Sequence, residues 1–306
     1  MNRRVGIIGT GWVGASVAIS TLQSGVADAV WLHDTRTAVA EGEAMDLRHG
    51  AAFYPPCSVR VASLDEMRQT QVLVVAAGRG GQPGQDRLSL LRDNAALVAS
   101  IGRGLQGYAG IVVMVTNPVD VLTRVMAQAS GLPPERVLGT GTMLDTARLR
   151  QTLGQQLGLD THSVHAQVVG EHGDSEVVLW SGAAVGGVPL RQWPGWDTGL
   201  EPGLATEVRR AAYEVIQRKG CTNHAIGLVT AKLLGCLLKD ERRVLTVSRV
   251  QTGALGLHGV ALSLPTVVGC DGGTQVAIPA MDDAERAALM HSAQVLQQAL
   301  DSLPAT

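Results

Sequence analysis

Arg4-Val5-Gly6-Ile7-Ile8-Gly9-Thr10-Gly11-Trp12-Val13-Gly14 runs from a short apolar strand into three glycines spaced G-x-G-x-x-G. Residues 15–22 then read as a helix with Val17, Ala18 and Leu22 on one side. Taken alone the glycine pattern recurs in many turns. Between a strand and a helix it has a mechanical meaning: backbone can lie close to a pyrophosphate, and the helix N-terminus faces its charge. A second strand over residues 29–33 ends in Asp34, twenty residues past Gly14. An acid there bonds both ribose hydroxyls of NAD and repels the extra phosphate of NADP, although Arg36 nearby leaves an opening for NADP. The expected cofactor is NAD, held by Gly9, Gly11, Gly14 and Asp34.

Outward from this stretch, strands and helices alternate. Residues 37–50 look helical and 58–62 extended, while 71–77 form a continuous apolar run of the kind buried on both faces of a parallel sheet. That run ends at Gly78 and gives way to a loop rich in glycine, with Arg79 and Arg87 at its two ends. A solvated surface loop is the plain interpretation. Loops leaving the carboxyl ends of buried parallel strands are, however, where open α/β sheets place ligands. A helix over 87–105 and a strand over 110–115 follow. Pro118 suits a first helical turn and leaves Asn117 at the sheet's carboxyl edge. Beyond Pro133-Pro134 comes a short strand at 137–141, and the domain boundary is placed near Thr142.

The expected architecture is α/β. Residues 1–142 form a doubly wound parallel Rossmann domain, and residues 143–306 an α+β substrate domain with antiparallel strands at 244–247, 259–264 and 275–278. Helices are expected over 145–157, over 205–219 with Val208, Ala211, Ala212 and Val215 on one face, and over 225–238. Asp282 or Asp283 caps the last helix, whose stripe is Leu289, Ala293, Leu296 and Leu300.

In this second half, Val164, Ala166 and Val168 alternate as a strand would, ahead of Gly170-Glu171-His172-Gly173-Asp174-Ser175. Glycine near a histidine leaves its imidazole free to meet a ligand, although a turn histidine bonded to backbone would look the same. Twenty-seven residues earlier, Asp145-Thr146-Ala147-Arg148 supplies a carboxylate able to stabilise an imidazolium. Three residues after it, at helical spacing, comes an arginine able to grip a substrate carboxylate.

Composition removes other classes. Of 306 residues 45% are apolar and 17% charged, which makes a globular chain and not a disordered one. A net charge of −2 with scattered signs shows no footprint for nucleic acid or an anionic membrane. Cys57, Cys221, Cys236 and Cys270 lie far apart, as thiols in a reducing compartment do. The first apolar run breaks at glycines too early for a signal peptide, and no run has membrane-spanning length. A cytoplasmic location is expected.

These motifs together resemble the L-lactate/malate dehydrogenase family nearly end to end, nearest to its L-lactate dehydrogenases. The resemblance rests on Gly9-x-Gly11-x-x-Gly14, Asp34, Pro83-Gly84-x-x-Arg87, Thr116-Asn117-Pro118-Val119-Asp120, Asp145-Thr146-Ala147-Arg148, Gly170-Glu171-His172-Gly173-Asp174 and Lys219-Gly220-x-Thr222. It implies that His172 is the general acid/base with Asp145 as its partner, and that Arg148 holds the substrate carboxylate. It further implies that Arg87 polarises the ketone, Asn117 bonds the substrate oxygen and Thr222 lines the pocket. Cofactor contacts would extend to Val13, Gly78, Asn94, Val115 and Asn117. The implied reaction passes hydride between NADH and C2 of a small 2-oxo acid, in a homodimer or homotetramer.

One position departs from the pattern. The residue six before the loop arginine is glutamine in lactate-like relatives and arginine in malate-like ones, and here it is Gly81. Glycine lacks the second cation a dicarboxylate needs and leaves room for bulkier 2-oxo acids. His224 follows the pocket threonine where relatives often carry an aromatic. Pyruvate ranks first, branched or aromatic 2-oxo acids next, oxaloacetate third. Arg150 and His165 match an anion site for a sugar bisphosphate in some bacterial relatives, with a plain subunit contact as the alternative. No metal is expected, because strand alternation separates several of His162, His165, His172 and Asp174. A non-catalytic relative and an NAD-dependent glycoside hydrolase share parts of the pattern. The first would not need the intact His172, Asp145, Arg148 and Arg87 set, and the second pairs a cysteine with its histidine.

Overall fold

The computed structural model describes residues 3–80 and 87–304; Gly81 lies outside them, and of Arg87 only the backbone is described. The first half runs β1 (Arg4–Ile8), α1 (Trp12–Ser24), β2 (Ala29–His33), α2 (Thr37–His49), β3 (Ser58–Val61), α3 (Leu64–Met67), β4 (Val72–Val75), α4 (Arg87–Gly104), β5 (Ile111–Met114), α5 (Val119–Ser130), β6 (Val137–Gly139) and α6 (Met143–Leu157). Its six strands pair in parallel, with β1 between β2 and β4. The chain therefore winds outward in two directions from β1, and a ligand crevice opens at the carboxyl end where the order reverses. Every residue of β4 and β5 is buried, as expected of apolar runs covered by helices on both faces.

After α6 comes a series of two-residue strands: β7 (Val164–His165), β8 (Val168–Val169), β9 (Val177–Val178), β10 (Ala184–Val185) and β11 (Val188–Pro189). Then follow α7 (Glu201–Lys219), α8 (His224–Leu238), β12 (Arg243–Thr252), β13 (His258–Gly269), β14 (Gly272–Val276) and α9 (Asp283–Asp301). The expected antiparallel strands are present, and they extend the parallel sheet to nine strands in the order β14-β13-β12-β6-β5-β4-β1-β2-β3. Gly139 permits the junction. A Cβ there would sit 2.6 Å from Thr123 Oγ1 and 3.1 Å from Ser248 Cβ, and Ser248 is its partner on β12.

Two local expectations are corrected. The alternating run at Val164, Ala166 and Val168 is buried as expected but is two strands, β7 pairing with β10 and β8 with β9. The break falls at Ala166-Gln167, where the Ala166 carbonyl accepts from Arg150 Nε at 3.0 Å. Next to it, the Val168 N–H donates to Thr146 Oγ1 at 3.0 Å, so α6 side chains take bonds that a strand partner would have taken. The second correction concerns α7, which starts at Glu201 and buries only Val208 of the predicted face; Val215 is exposed. On α9 the cap is Asp282, in a reciprocal pair with Glu285, and Leu289, Ala293 and Leu296 are buried.

Candidate active site

His172 sits on a turn leaving β8, and the turn is fixed by residues far away in sequence. Gly170 has φ +84° and packs so tightly that a Cβ would lie 2.7 Å from Ser292 Oγ. Its N–H and carbonyl pair with Ser263 on β13, both at 2.9 Å. The Glu171 N–H donates to Ser292 Oγ on α9 at 2.8 Å, and the Glu171 carboxylate accepts from the Ser175 N–H at 3.1 Å. The His172 N–H donates to Asp120 Oδ2 on α5 at 2.7 Å. Backbone groups of the turn are thereby satisfied without covering the imidazole, whose side chain keeps 22% exposure.

Asp145 occupies the first turn of α6, where the helix dipole favours an anion. Its two oxygens are divided between two cations: Oδ2 meets His172 Nδ1 at 2.5 Å and Oδ1 accepts from Arg148 Nη1 at 2.7 Å. The Nδ1 proton then points to Asp145, leaving Nε2 as the imidazole's free end. Burial disfavours a charged His172. The Asp145 carboxylate, by its charge and its hydrogen bond and with help from Asp120, outweighs burial and holds the imidazole up at about 9. Asp145 is buried too, yet its bonds to His172 and Arg148 keep it below the ordinary carboxylate range. The imidazolium is therefore present at neutral pH.

Two acids in this cluster had no role assigned from sequence. Asp120 is 2% exposed, and burial pushes its carboxyl up to about 6. Glu176, four residues past His172, is 5% exposed and is raised to about 8 by burial and by the charge of Asp145. Asp120 stood within a motif used for the resemblance, and its tie to His172 was the missing part. Glu176 carried no local signal, since an acid beside Ser175 looks like any solvated turn residue.

The crevice at the end of β1 is a cavity of 590 Å³ whose lining includes Gly9, Gly11, Asp34, Arg36, Gly78 and Ile101. Its glycines fit a dinucleotide for separate reasons. A Cβ on Gly9 would lie 2.5 Å from the Ala77 backbone, and one on Gly14 would collide with the Gly9 carbonyl at 1.9 Å. Among the described residues, a Cβ on Gly11 meets no protein atom within 4 Å, so it would project into the crevice. Asp34 is oriented by the Thr10 N–H at 2.9 Å and the Arg36 N–H at 2.9 Å. These bonds overcome its partial burial and keep it ionised.

Of the remaining predicted cofactor residues, Val13 and Val115 pack into the core below the crevice. Asn94 is buried and ties two loops together: its Oδ1 accepts from the Arg79 N–H at 2.8 Å and its Nδ2 donates to the Asn117 carbonyl at 3.4 Å. Asn117 is exposed at the carboxyl end of β5. Thr222 is half-buried between α7 and α8. Its neighbour Asn223 anchors that turn, donating to Ser16 Oγ on α1 at 3.0 Å and accepting from Lys219 Nζ at 2.8 Å.

Arg150 and His165 do come together, on a separate cavity of about 650 Å³ that also takes in His162 and Arg243. His162 is paired with Asp160 at 2.7 Å. Burial and the nearby Arg243 both lower Arg150 from its ordinary value, which is the environment of a cation lacking an anion.

A doubly wound sheet with a dinucleotide crevice, in a chain that also holds an imidazolium on a carboxylate shared with an arginine, defines a nicotinamide-dependent dehydrogenase. Residues 3–139 match the NAD binding domain of lactate/malate dehydrogenase, and residues 142–305 match that family's alpha/beta C-terminal domain. The chain belongs to the lactate/malate dehydrogenase family. It is 42% identical to an L-lactate dehydrogenase of Synechococcus sp. (strain JA-3-3Ab), covering 97% of this chain and 98% of the relative. It is 43% identical to an L-lactate dehydrogenase of Salinibacter ruber, covering 96% of each. Among solved structures, the minor L-lactate dehydrogenase from Enterococcus mundtii in its ligands-bound form superposes with a TM-score of 0.96 at 36% identity, covering 100% of this chain and 99% of that one. Among the described residues no helix is long and apolar enough to cross a membrane.

Proposed function

We propose that this protein is an L-lactate dehydrogenase, interconverting pyruvate and L-lactate with NADH and NAD. The observation that carries this reading is Asp145 bridging His172 and Arg148, which sets a proton donor and a carboxylate clamp side by side. The L-lactate dehydrogenases at 42–43% identity over nearly the whole chain favour pyruvate over bulkier 2-oxo acids and oxaloacetate. Residues 1–142 would bind the cofactor and 143–306 the substrate.

When bound, the nicotinamide supplies hydride to C2 of the keto acid. Arg148 takes the substrate carboxylate on the guanidinium face not used by Asp145. His172 Nε2 gives its proton to the ketone oxygen as negative charge gathers there, and Asp145 holds the imidazole in the tautomer that allows this. Arg87 adds a second cation at that oxygen and Asn117 a hydrogen bond, while Thr222 lines the pocket. Oxidation of lactate runs the same path backward, with His172 as base.

The test is NADH oxidation with pyruvate, oxaloacetate and phenylpyruvate. Pyruvate is expected to give the highest kcat/KM; no consumption of NADH with any of the three would overturn the reading.

The cationic cavity around Arg150 and His165 supports a second function for the same protein, binding of a sugar bisphosphate that lowers KM for pyruvate. An unchanged KM on adding fructose bisphosphate would remove it. Exposed Trp12, Met45, Phe53 and Leu228, on or beside α1, α2 and α8, support a homodimer or homotetramer, and the location is taken as cytoplasmic.

A further inference from the structure

His33 ends β2 on the wall of the cofactor crevice. Side chains alternate along that strand. Val30 and Leu32 join the core under α1, whereas Ala29 and Trp31 join the core under α4, so His33 continues the α4 side. There it shares the cavity with half-buried Leu64 and with Leu97 and Ile101 of α4. Gly9 and Gly11, the backbone that approaches a pyrophosphate, line the same cavity, and Asp34 beside His33 is set for the ribose. What remains for the base is the apolar wall, which suits a flat aromatic ring. The imidazole is held at one end: Nδ1 lies 3.0 Å from the Ala62 carbonyl oxygen. A carbonyl can only accept, so Nδ1 carries the proton of the neutral ring and Nε2 is an acceptor. Nε2 has no partner among the described residues and is not enclosed by protein, so it opens on the crevice.

We propose that His33 is a specificity-determining residue for the cofactor: its Nε2 accepts a hydrogen bond from the exocyclic amino group of the adenine base, and so selects an aminopurine dinucleotide over an oxopurine one. Adenine offers that amino group as its strong donor, and its ring nitrogens only accept. A hypoxanthine base puts a carbonyl oxygen at the same corner. Two acceptors then face each other in a partly desolvated cavity, and each loses water without gaining a partner. The other polar side chains of the wall do not draw this distinction. Arg36 and Arg79 only donate, the Thr35 and Ser100 hydroxyls can do either, and Asp34 is turned to the Thr10 and Arg36 N–H groups. The tautomer of His33 is fixed by backbone and not by a mobile side chain, because the Ala62 N–H donates to the Leu32 carbonyl at 2.9 Å and ties Ala62 to β2. The proposal rests on the binding of NAD and not on which 2-oxo acid is reduced.

The experiment measures Kd for NADH and for reduced nicotinamide hypoxanthine dinucleotide, through the fluorescence of their common dihydronicotinamide, in the wild type, His33→Leu and His33→Gln. The two probes differ only in the purine base, so a variant that merely loosens the fold weakens both alike, and loss of the contact changes their ratio. The wild type should bind NADH about tenfold more tightly, the upper end of what one neutral hydrogen bond contributes. In His33→Leu the two affinities should come within about twofold of each other, because adenine loses its acceptor and the oxo base loses its opponent. His33→Gln brings an amide that can turn its oxygen to an amino group or its N–H to a carbonyl. It should bind both dinucleotides with an affinity near that of the wild type for NADH, and it decides the matter should His33→Leu fail to fold. Equal wild-type affinities, or a preference for NADH that survives removal of the imidazole, would overturn the proposal. Failure of both dinucleotides to bind would overturn it together with the cofactor assignment. Turnover does not enter these measurements, so an absence of pyruvate reduction would sink the lactate dehydrogenase reading and leave the role of His33 standing.

Discussion

The His172 backbone N–H donates to Asp120 Oδ2 at 2.7 Å, so the turn carrying the proton donor is fastened to the first turn of α5, 52 positions earlier in the chain. Asp120 is also the second anion acting on the imidazolium, after Asp145. One side chain thus fixes both where His172 stands and how firmly it keeps its proton.

Asp120→Asn keeps an oxygen for that N–H and removes the charge. A His172 raised to about 9 is protonated at neutral pH and loses its proton as pH rises through 9, so pyruvate reduction should fall across that limb. In Asp120→Asn the limb moves to lower pH by about 0.5 to 1, as loss of a nearby opposite charge requires. The pH profile of kcat/KM checks this. The same sign governs stability: the contribution from a raised His172 is fully present below about 6.5, its unfolded value, and is lost as pH climbs through 9.

Asp145→Asn should lower kcat by roughly 10² to 10³, the usual scale for a disabled general acid. As the partner of the proton donor, Asp145 should matter more to rate than to affinity. The bond from Arg148 Nη1 to Asp145 Oδ1 adds an affinity cost, so KM should rise as well. Steady-state kinetics with pyruvate separate the two.

Arg148→Lys replaces a planar fork, one prong of which is already committed to Asp145, by a point charge. KM for pyruvate should rise on the order of tenfold to a hundredfold, the worth of one charge-assisted hydrogen bond. An unchanged KM would contradict the clamp role.

Asp34→Ser should raise the preference for NADPH over NADH by about tenfold or more, since an opposed pair of like charges costs on the order of several kcal/mol. Arg36, already salt-bridged to Asp34 at 3.5 Å, becomes free to meet the extra phosphate. The ratio of kcat/KM for the two cofactors is the measurement.

Gly81→Arg restores the cation that a dicarboxylate needs and should raise turnover on oxaloacetate relative to pyruvate. Equal turnover before and after the change would mean that position 81 does not face the substrate.

The sequence by itself determined what depends on neighbours along the chain. The strand, three glycines and helix at residues 4–24 and the unbroken apolar runs of β4 and β5 specify the doubly wound half, because each is a pattern of neighbouring residues whose burial follows from its own composition. Asp145 and Arg148 could be paired for the same reason, being three residues apart on one helix, and His172 stood out between glycines. Only the tertiary structure decided what depends on distant segments meeting. It joined β12 to β6 where Gly139 has no side chain, and it broke the Val164–Val168 alternation where α6 supplied the hydrogen bonds. It also buried Glu176, and it buried Asp120 against the His172 turn. Whether a carboxylate faces water or a histidine depends on the surfaces that fold over it, and no spacing along the chain records that.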